Sequence, residues 1–346
     1  MYYFTIIEYK NDEEQFKIGT IKIEVFSKDD IEELETRLKK LDNDISLPLK
    51  SGKNPSRWII TKKVKYYNQQ AYWNTNNIIQ PKYPIYILSK GRHDKKSLWT
   101  YNALREMQID FKIVIEKQEE KLYLKNVEKK YILILPKTFI KKQNEIGNFG
   151  GIPSRNFIWQ HSINQGYKKH WILDDNINGF YRLNNNCRRK IKSGVIFKIL
   201  EDYTDRFNDV YLSSFQYKSM IPEISLNRPP IVINTRCYSC ILIDNELDIK
   251  LNTGRWRGKY NEDVDLSIRV MKNKGYTLLM QNLQQNKLST GSCKGGNSDI
   301  YANDGLKKKT ESLIAQHPGI VSFCARFSKK YHHYIDYKKH FKRPLI

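Results

Sequence analysis

Two acidic clusters carry the side chains most able to do chemistry. The first is Asp174-Asp175-Asn176, which closes the apolar run WILDD (171–175). Adjacent carboxylates repel unless a cation sits between them. Hard divalent ions such as Mn²⁺ and Mg²⁺ take carboxylate, amide-carbonyl and phosphate oxygens together, so these three residues are candidate metal ligands. A metal held there would bridge a diphosphate and neutralise charge on a departing phosphate group. The second cluster is Glu262-Asp263-Val264-Asp265, followed by LSIRVMKNKG. Glu262 and Asp263 are the catalytic candidates, with Asp263 placed to serve as general base toward an acceptor hydroxyl. Asp and Asn also favour turns, and acids favour the first turn of a helix, so each cluster alone admits a structural role. The chemistry requires both to face one pocket, although nearly ninety positions separate them in the chain.

The elements that must position these groups alternate. From Tyr83 onward, short apolar strands at 84–89, 111–116, 131–135 and 171–175 are separated by helical patterns, including one from Pro153 to about Gly166. This order predicts an α/β fold: a Rossmann-type, mostly parallel sheet flanked by helices. A further helix is expected over 194–206, a strand over VYLSSFQY (210–217), one long strand over IVINTRCYSCILID, a helix over 262–274 and a strand at YTLLMQ. In open α/β sheets ligands bind beyond the carboxyl ends of the strands. There the sequence places Ser89-Lys90-Gly91-Arg92, Glu116 and Asp174-Asp175-Asn176, polar groups for a nucleotide and a metal. Residues 1–78 read as a small α+β module and connector: strands at 4–9 and 18–26, a helix carrying Ile31, Leu34, Leu38 and Leu41, then a Pro- and Asn-punctuated stretch. The remaining residues, 79–346, form the second domain.

With 346 residues, 40% of them hydrophobic, the chain can bury a full core. No apolar run approaches the roughly 18 residues of a membrane span, and the N-terminus lacks the pattern of a signal peptide, so a soluble, cytoplasmic protein is expected. The five cysteines include Cys237 and Cys240 at a CxxC spacing, with no second pair to complete a zinc site, and reduced structural thiols are expected. The net charge of +23 favours a polyanionic partner. The same composition is rich in Lys, Asn and Ile, which AT-rich codons supply, so charge by itself does not fix that partner. Three basic stretches stand out: CRRKIK (187–192) with Arg188 and Arg189, RWRGK (255–259) with Arg255, Trp256 and Arg257, and the tail from Arg326 to Arg343. Trp256 between two arginines suits stacking on a base with a grip on flanking phosphates.

Several segments carry a resemblance. SRNFIWQHSINQGYKKHWILDDN (154–176) resembles the Arg-Asn, helix, strand, acidic-motif stretch of GT-A-type glycosyltransferases, and YNEDVDLSIRV (260–270) is similar to their downstream Glu-Asp motif. More narrowly, YPIYILSKGR, VIEKQEEKLY, HWILDDN, RWRGKYNEDVDLSIR and RFSKKYHHYIDY resemble the TET-associated glycosyltransferases of bacteriophages and related elements, over roughly residues 80–340. The resemblance implies a GT-A-like fold and metal-dependent transfer of a sugar from a nucleotide-sugar, with UDP-glucose the expected donor. The implied acceptor is a hydroxymethylated pyrimidine such as 5-hydroxymethylcytosine in DNA, and a phage-encoded enzyme would act in the host cytoplasm. It implies that Ser89, Lys90, Gly91 and Arg92 lie near the diphosphate, Glu116 near the nucleoside, and Arg155 and Asp175 on the nucleotide. Asp174, Asp175 and Asn176 would hold the metal, with His332 or His333 as a late ligand or phosphate contact, and Asp263 would be the base. Asn176 departs from the commoner carboxylate of that motif. Two other readings stay open: a transferase of this fold acting on protein or polysaccharide, and a catalytically idle nucleic-acid-binding relative.

Overall fold

A computed structural model describes residues 2–10, 15–23, 80–184, 187–221, 231–288, 305–326 and 329–341. Strands β1 (Tyr2–Lys10) and β2 (Gln15–Ile23) pair antiparallel as a hairpin. The helix expected at residues 27–41 and the connector after it lie outside the described residues.

The main body is a ten-stranded sheet. Its strands are β3 (Ile85–Leu88), β4 (Lys112–Glu116), β5 (Ile132–Leu135), β6 (Lys169–Asp174), β7 (Ile177–Asn184), β8 (Cys187–Ile191), β9 (Val210–Tyr217), β10 (Ile231–Ile233), β11 (Cys240–Asp244) and β12 (Tyr276–Lys287). The spatial order is β5-β4-β3-β6-β11-β9-β12-β7-β8, with β10 also on β12. Strands β3, β4, β5, β6, β8, β9 and β12 run one way, and β7, β10 and β11 the other. The flanking helices are α1 (Trp99–Glu106), α2 (Lys137–Glu145), α3 (Ile152–Asn164), α4 (Val195–Thr204), α5 (Glu262–Lys272) and α6 (Gly305–Gln316). A separate two-stranded sheet pairs β13 (Val321–Arg326) with β14 (Lys329–Ile335).

The central strands read as apolar runs because both faces of the sheet are covered. Along β6, Trp171 and Leu173 enter the core on one face and Ile172 the core on the other. Along β11, Leu242 and the pair Ile241 and Ile243 divide in the same way. On the first face Trp171 meets Phe197 edge-on at 5.1 Å and stacks on Phe215 at 5.4 Å. Such pairs add about 0.5–1.5 kcal/mol beyond the area they bury.

One expected element is corrected. The stretch 231–244 is two strands, not one: β10 pairs with β12, whereas β11 lies between β6 and β9. Asn234 (φ 56°) and Ser239 (φ 64°) adopt left-handed backbone, which breaks the extended run at both ends of the crossing. This break is what brings Ser239 to the functional edge. The cysteines of this stretch are buried and unbonded, and burial pushes the Cys237 thiol up to about 12. Neither is therefore a reactive thiolate at neutral pH. Among the described residues no helix is long and apolar enough to cross a membrane.

Candidate active site

The carboxyl ends of β3, β4, β6, β9 and β12 lie on one edge, so Leu88, Glu116, Asp174, Tyr217 and Lys287 finish there. Strand β11 runs against β6, with Cys240 opposite Leu173, so its starting end lies on the same edge. Ser239, just before it, accepts a hydrogen bond through its carbonyl from the Asp174 N–H at 2.7 Å. Helix α5 is locked to this edge through Ser267, whose hydroxyl donates to the Asp263 carbonyl at 2.7 Å and accepts from the Cys237 N–H at 3.1 Å. The Ser239 N–H then faces Asp263 Oδ2 at 3.4 Å. Glu262, Asp263 and Asp265 sit in the first turn of α5, where the helix dipole favours negative charge.

Arg155 joins the two acidic clusters. Its Nη2 lies 3.1 Å from Asp174 Oδ1 and 3.3 Å from Asp263 Oδ1, and its Nε lies 3.3 Å from Glu262 Oε1. Its side chain is 3% exposed. The guanidinium lies over the Trp256 ring at 4.9 Å from the centroid. Asn156, the next residue of α3, holds the Trp256 backbone through both its amide nitrogen (2.9 Å) and oxygen (3.1 Å). Lys287 completes the cluster: its ammonium lies 2.6 Å from Asp174 Oδ2 and donates to Ser239 Oγ at 2.8 Å.

This arrangement separates the two aspartates electrostatically. Burial would raise both. At Asp174 the charges of Lys287 and Arg155 overcome it and hold the carboxyl down at about 2. At Asp263 burial prevails, aided by the neighbouring Glu262 and Asp174 carboxylates, and pushes the carboxyl up to about 7 against the pull of Arg155 and Lys287. Burial alone would lower Arg155 and Lys287, but the carboxylates around them outweigh it, so both stay cationic. A permanent anion beside a carboxyl poised near neutrality is the pattern expected of a group that takes a proton near pH 7.

The SKGR turn after β3 sits next to this cluster. Ser89 Oγ donates to Asp175 Oδ2 at 2.8 Å, and Arg92 pairs with Asp175 Oδ1. Gly91 adopts φ 66°, a left-handed conformation that glycine enters without a Cβ penalty. Its N–H donates to Glu119 at 2.7 Å. Lys90 pairs with Glu116 at 2.7 Å on the rim, and a groove of about 750 Å³ opens beyond Glu116 against Lys137, Ile140 and Lys141 of α2. Asn176 clamps the chain through its donor side: its side-chain N–H donates to the Leu288 carbonyl at 3.1 Å, and its backbone carbonyl accepts the Leu288 N–H at 3.0 Å. That clamp fixes the end of β12, and with it Lys287.

Several expected contacts fall elsewhere. Trp256 is 2% exposed, so it offers no open face to an incoming base and acts as a floor beneath Arg155. Arg255 pairs with Asp248 and Gln160, each at 2.8 Å. Arg257 pairs with Asp265 at 2.8 Å, and Asp265 also takes Arg269 and His317. The RWRG segment therefore ties α5 in place rather than presenting a free cationic surface. Arg188 donates to Gln284 at 3.0 Å and to the Ile221 carbonyl, tying β8 to the sheet. The side chain of Arg189 lies outside the described residues. His333 sits in a different cavity, where burial together with His332, Lys309 and Arg236 brings it down to about 3. The structure does not bring it together with 174–176. Among the described residues, no group of three or more His, Cys, Asp or Glu side chains is placed to hold a metal ion.

Lys287, Ser239 and Tyr217 were not anticipated from sequence. Tyr217 Oη lies 2.5 Å from Ser239 Oγ, and the Lys287 ammonium lies 5.9 Å from the Tyr217 ring. The signal for Lys287 was weak because β12 continues past its apolar half into QNLQQNK. Gln284 and Gln285 there are fully buried, and Gln285 donates to the Phe215 and Tyr238 carbonyls at 2.9 and 3.0 Å. A polar strand end of this kind reads as a loop until its partners are known.

A family model described as TET-associated glycosyltransferase matches residues 83–296, a span that contains every residue of this cluster. Among solved structures, an apo UDP-glucose pyrophosphorylase is similar over 59% of this chain and 92% of its own, with a TM-score of 0.35 and 6% identity. No curated protein matches.

Proposed function

The chain belongs to the TET-associated glycosyltransferase family, and from that premise we propose that it moves a hexose from a UDP-sugar, with UDP-glucose the expected donor, onto the hydroxyl of a hydroxymethylated pyrimidine in DNA. The observation that carries the reading is Arg155, which spans Asp174 and Asp263 and so makes the two acidic clusters one site. A net charge of +23 supports a polyanionic acceptor.

In this reading the acceptor oxygen attacks the anomeric carbon while its proton passes to the Asp263 carboxylate. The bond from that carbon to the diphosphate breaks, and the electron pair leaves with the nucleoside diphosphate. Attack opposite the leaving group inverts the anomeric centre. Lys287 is the cation proposed to face the departing diphosphate, with Arg92 and Lys90 of the adjoining turn behind it. The groove beside Glu116 is of a size to take the nucleoside.

The donor set at 174–176 does not fit a divalent ion as arranged. Both oxygens of Asp174 are met by Arg155 and Lys287, and both oxygens of Asp175 by Arg92 and Ser89. No step is therefore routed through a metal. One observation favours the second reading, in which Mn²⁺ or Mg²⁺ binds Asp174, Asp175 and Asn176: the Asn176 Oδ1 is buried without a hydrogen-bond partner.

The deciding assay follows labelled sugar into hydroxymethylated DNA, unmodified DNA, protein and polysaccharide. Incorporation restricted to the hydroxymethylated DNA is the expected result, and none there would overturn the acceptor assignment. Repeated with EDTA, transfer is expected to change by no more than about twofold, since charge neutralisation is the part a metal would otherwise supply. Loss of activity on chelation, restored by Mn²⁺, would assign the metal to 174–176 instead.

A further inference from the structure

A cavity of about 210 Å³ lies beside the acidic cluster, between the ends of β9 and β10 and strand β14. Its walls include Gln216, Arg236, Tyr238, His332, His333 and Tyr337. It is larger than a site for a few waters, at about 30 Å³ each, and smaller than the roughly 300 Å³ or more of pockets for drug-sized ligands. That leaves room for a single ring-sized group. Through Tyr238 the cavity neighbours the catalytic edge along the chain: the next residue is Ser239, whose N–H faces Asp263 Oδ2 at 3.4 Å. Tyr217 stacks on Tyr238 at 4.4 Å and 21° and reaches Ser239 through its hydroxyl.

The chemistry of the walls is specific. The two histidine rings, 4.8 Å apart, supply flat surfaces, whereas the Tyr238 ring is already covered by Tyr217 and by the Arg236 guanidinium at 5.0 Å. Arg236 donates to the Tyr238 hydroxyl at 2.8 Å and lies 3.9 Å from the Met220 sulfur, with no carboxylate paired to it among the described residues. Among the described residues no carboxylate neutralises this positive charge at the cavity. Gln216 and a neutral His333 add groups able to donate or accept. Histidine rings, a guanidinium and neutral hydrogen-bonding groups suit an uncharged planar heterocycle with carbonyl and amino edges, flanked by phosphate.

We infer that this cavity receives the acceptor pyrimidine after it has turned out of the duplex, delivering its hydroxymethyl group to Asp263. The inference rests on the transfer to DNA proposed above and adds where the base goes. The recess of the carboxylate supports it: the Asp263 side chain is 17% exposed. A general base must come within about 2.6–3.2 Å of the hydroxyl it deprotonates. A base still stacked in the helix holds its 5-substituent in the major groove, with its neighbours in the way of such an approach.

The test uses the full chain and a duplex with one 5-hydroxymethylcytosine and 2-aminopurine as its neighbour. Binding of the wild type should raise 2-aminopurine fluorescence severalfold, as unstacking does. In transfer assays, Arg236→Gln and His333→Ala should each raise KM for the DNA by about tenfold or more, as loss of a base or phosphate contact would, and leave KM for the donor within about twofold. If the wild type transfers sugar to this duplex, yet fluorescence stays flat and both variants keep the wild-type KM for DNA, the cavity assignment is overturned and the transfer stands. If the wild type transfers nothing to hydroxymethylated DNA while still hydrolysing the donor, the functional reading itself falls, and this inference with it.

Discussion

Asp263→Asn is expected to lower kcat for transfer by about 10²–10⁴-fold, the range typical for loss of a positioned general base. KM for the donor should move little, because the amide keeps the shape of the carboxyl and no donor contact is assigned to it. The pH dependence follows from the same group. A base whose carboxyl is pushed up to about 7 is mostly protonated at pH 6, so wild-type kcat should climb through that region and level off above it. The residual activity of the variant should lack this climb. Stability runs the other way. In the unfolded chain Asp263 ionises near its ordinary value, whereas in the fold it holds its proton up to about 7. The folded state therefore binds the extra proton, and wild-type stability declines as pH rises between these two values. Asp263→Asn removes that decline, so the variant should match the wild type at pH 4 and melt higher at pH 8. A full-activity variant, or one whose melting tracks the wild type at both pH values, would remove Asp263 from the role of base.

Arg155→Met is expected to damage fold and activity together. The guanidinium is the shared counter-ion of Asp174, Glu262 and Asp263, and all three lie within 3.3 Å of it. Removing one partner from a buried ion cluster typically costs about 3–5 kcal/mol, because the charges left behind remain out of water. A variant that still folds should show transfer reduced by about 10² or more, comparable to loss of a preorganised charge. Its activity optimum should move to higher pH, since Arg155 is the strongest charge holding Asp263 down. Arg155→Lys keeps the charge but cannot reach three carboxylates in a planar fork, and should recover only part of either loss. Thermal melting with a pH–rate profile separates the two effects. An unshifted profile at undiminished activity would show that Arg155 is a packing element only.

Local pattern located many of the elements and where reactive groups sit on them, though not the strands β7 and β8. The run VYLSSFQY is β9 from its first residue to its last, and the acids of EDVD open α5, as the dipole of a helix start favours. The SKGR turn and the Asp174-Asp175-Asn176 motif follow β3 and β6 because strand ends are where apolar runs give way to polar residues. The identity of the neighbours was not legible. Trp256 has the composition of a stacking platform, yet it is buried beneath Arg155, since a flat ring between arginines looks the same in sequence whether it faces solvent or the core. His333 has the composition of a ligand, yet its surroundings are cationic.

What the chain specified by itself was therefore one-dimensional: the period of its strands and helices, the caps and dipoles of their ends, and the positions of its acids and bases along the backbone. Each depends on interactions within a few residues. Tertiary structure alone decided how those charges are neutralised. Lys287 lies 113 positions beyond Asp174 and meets it at 2.6 Å because β12 ends on the same edge of the sheet as β6. Ser239 reaches that edge because two left-handed residues split a stretch that reads as a single strand. Cross-strand order and register set these meetings, and both depend on packing energies summed over the whole sheet rather than on any local segment.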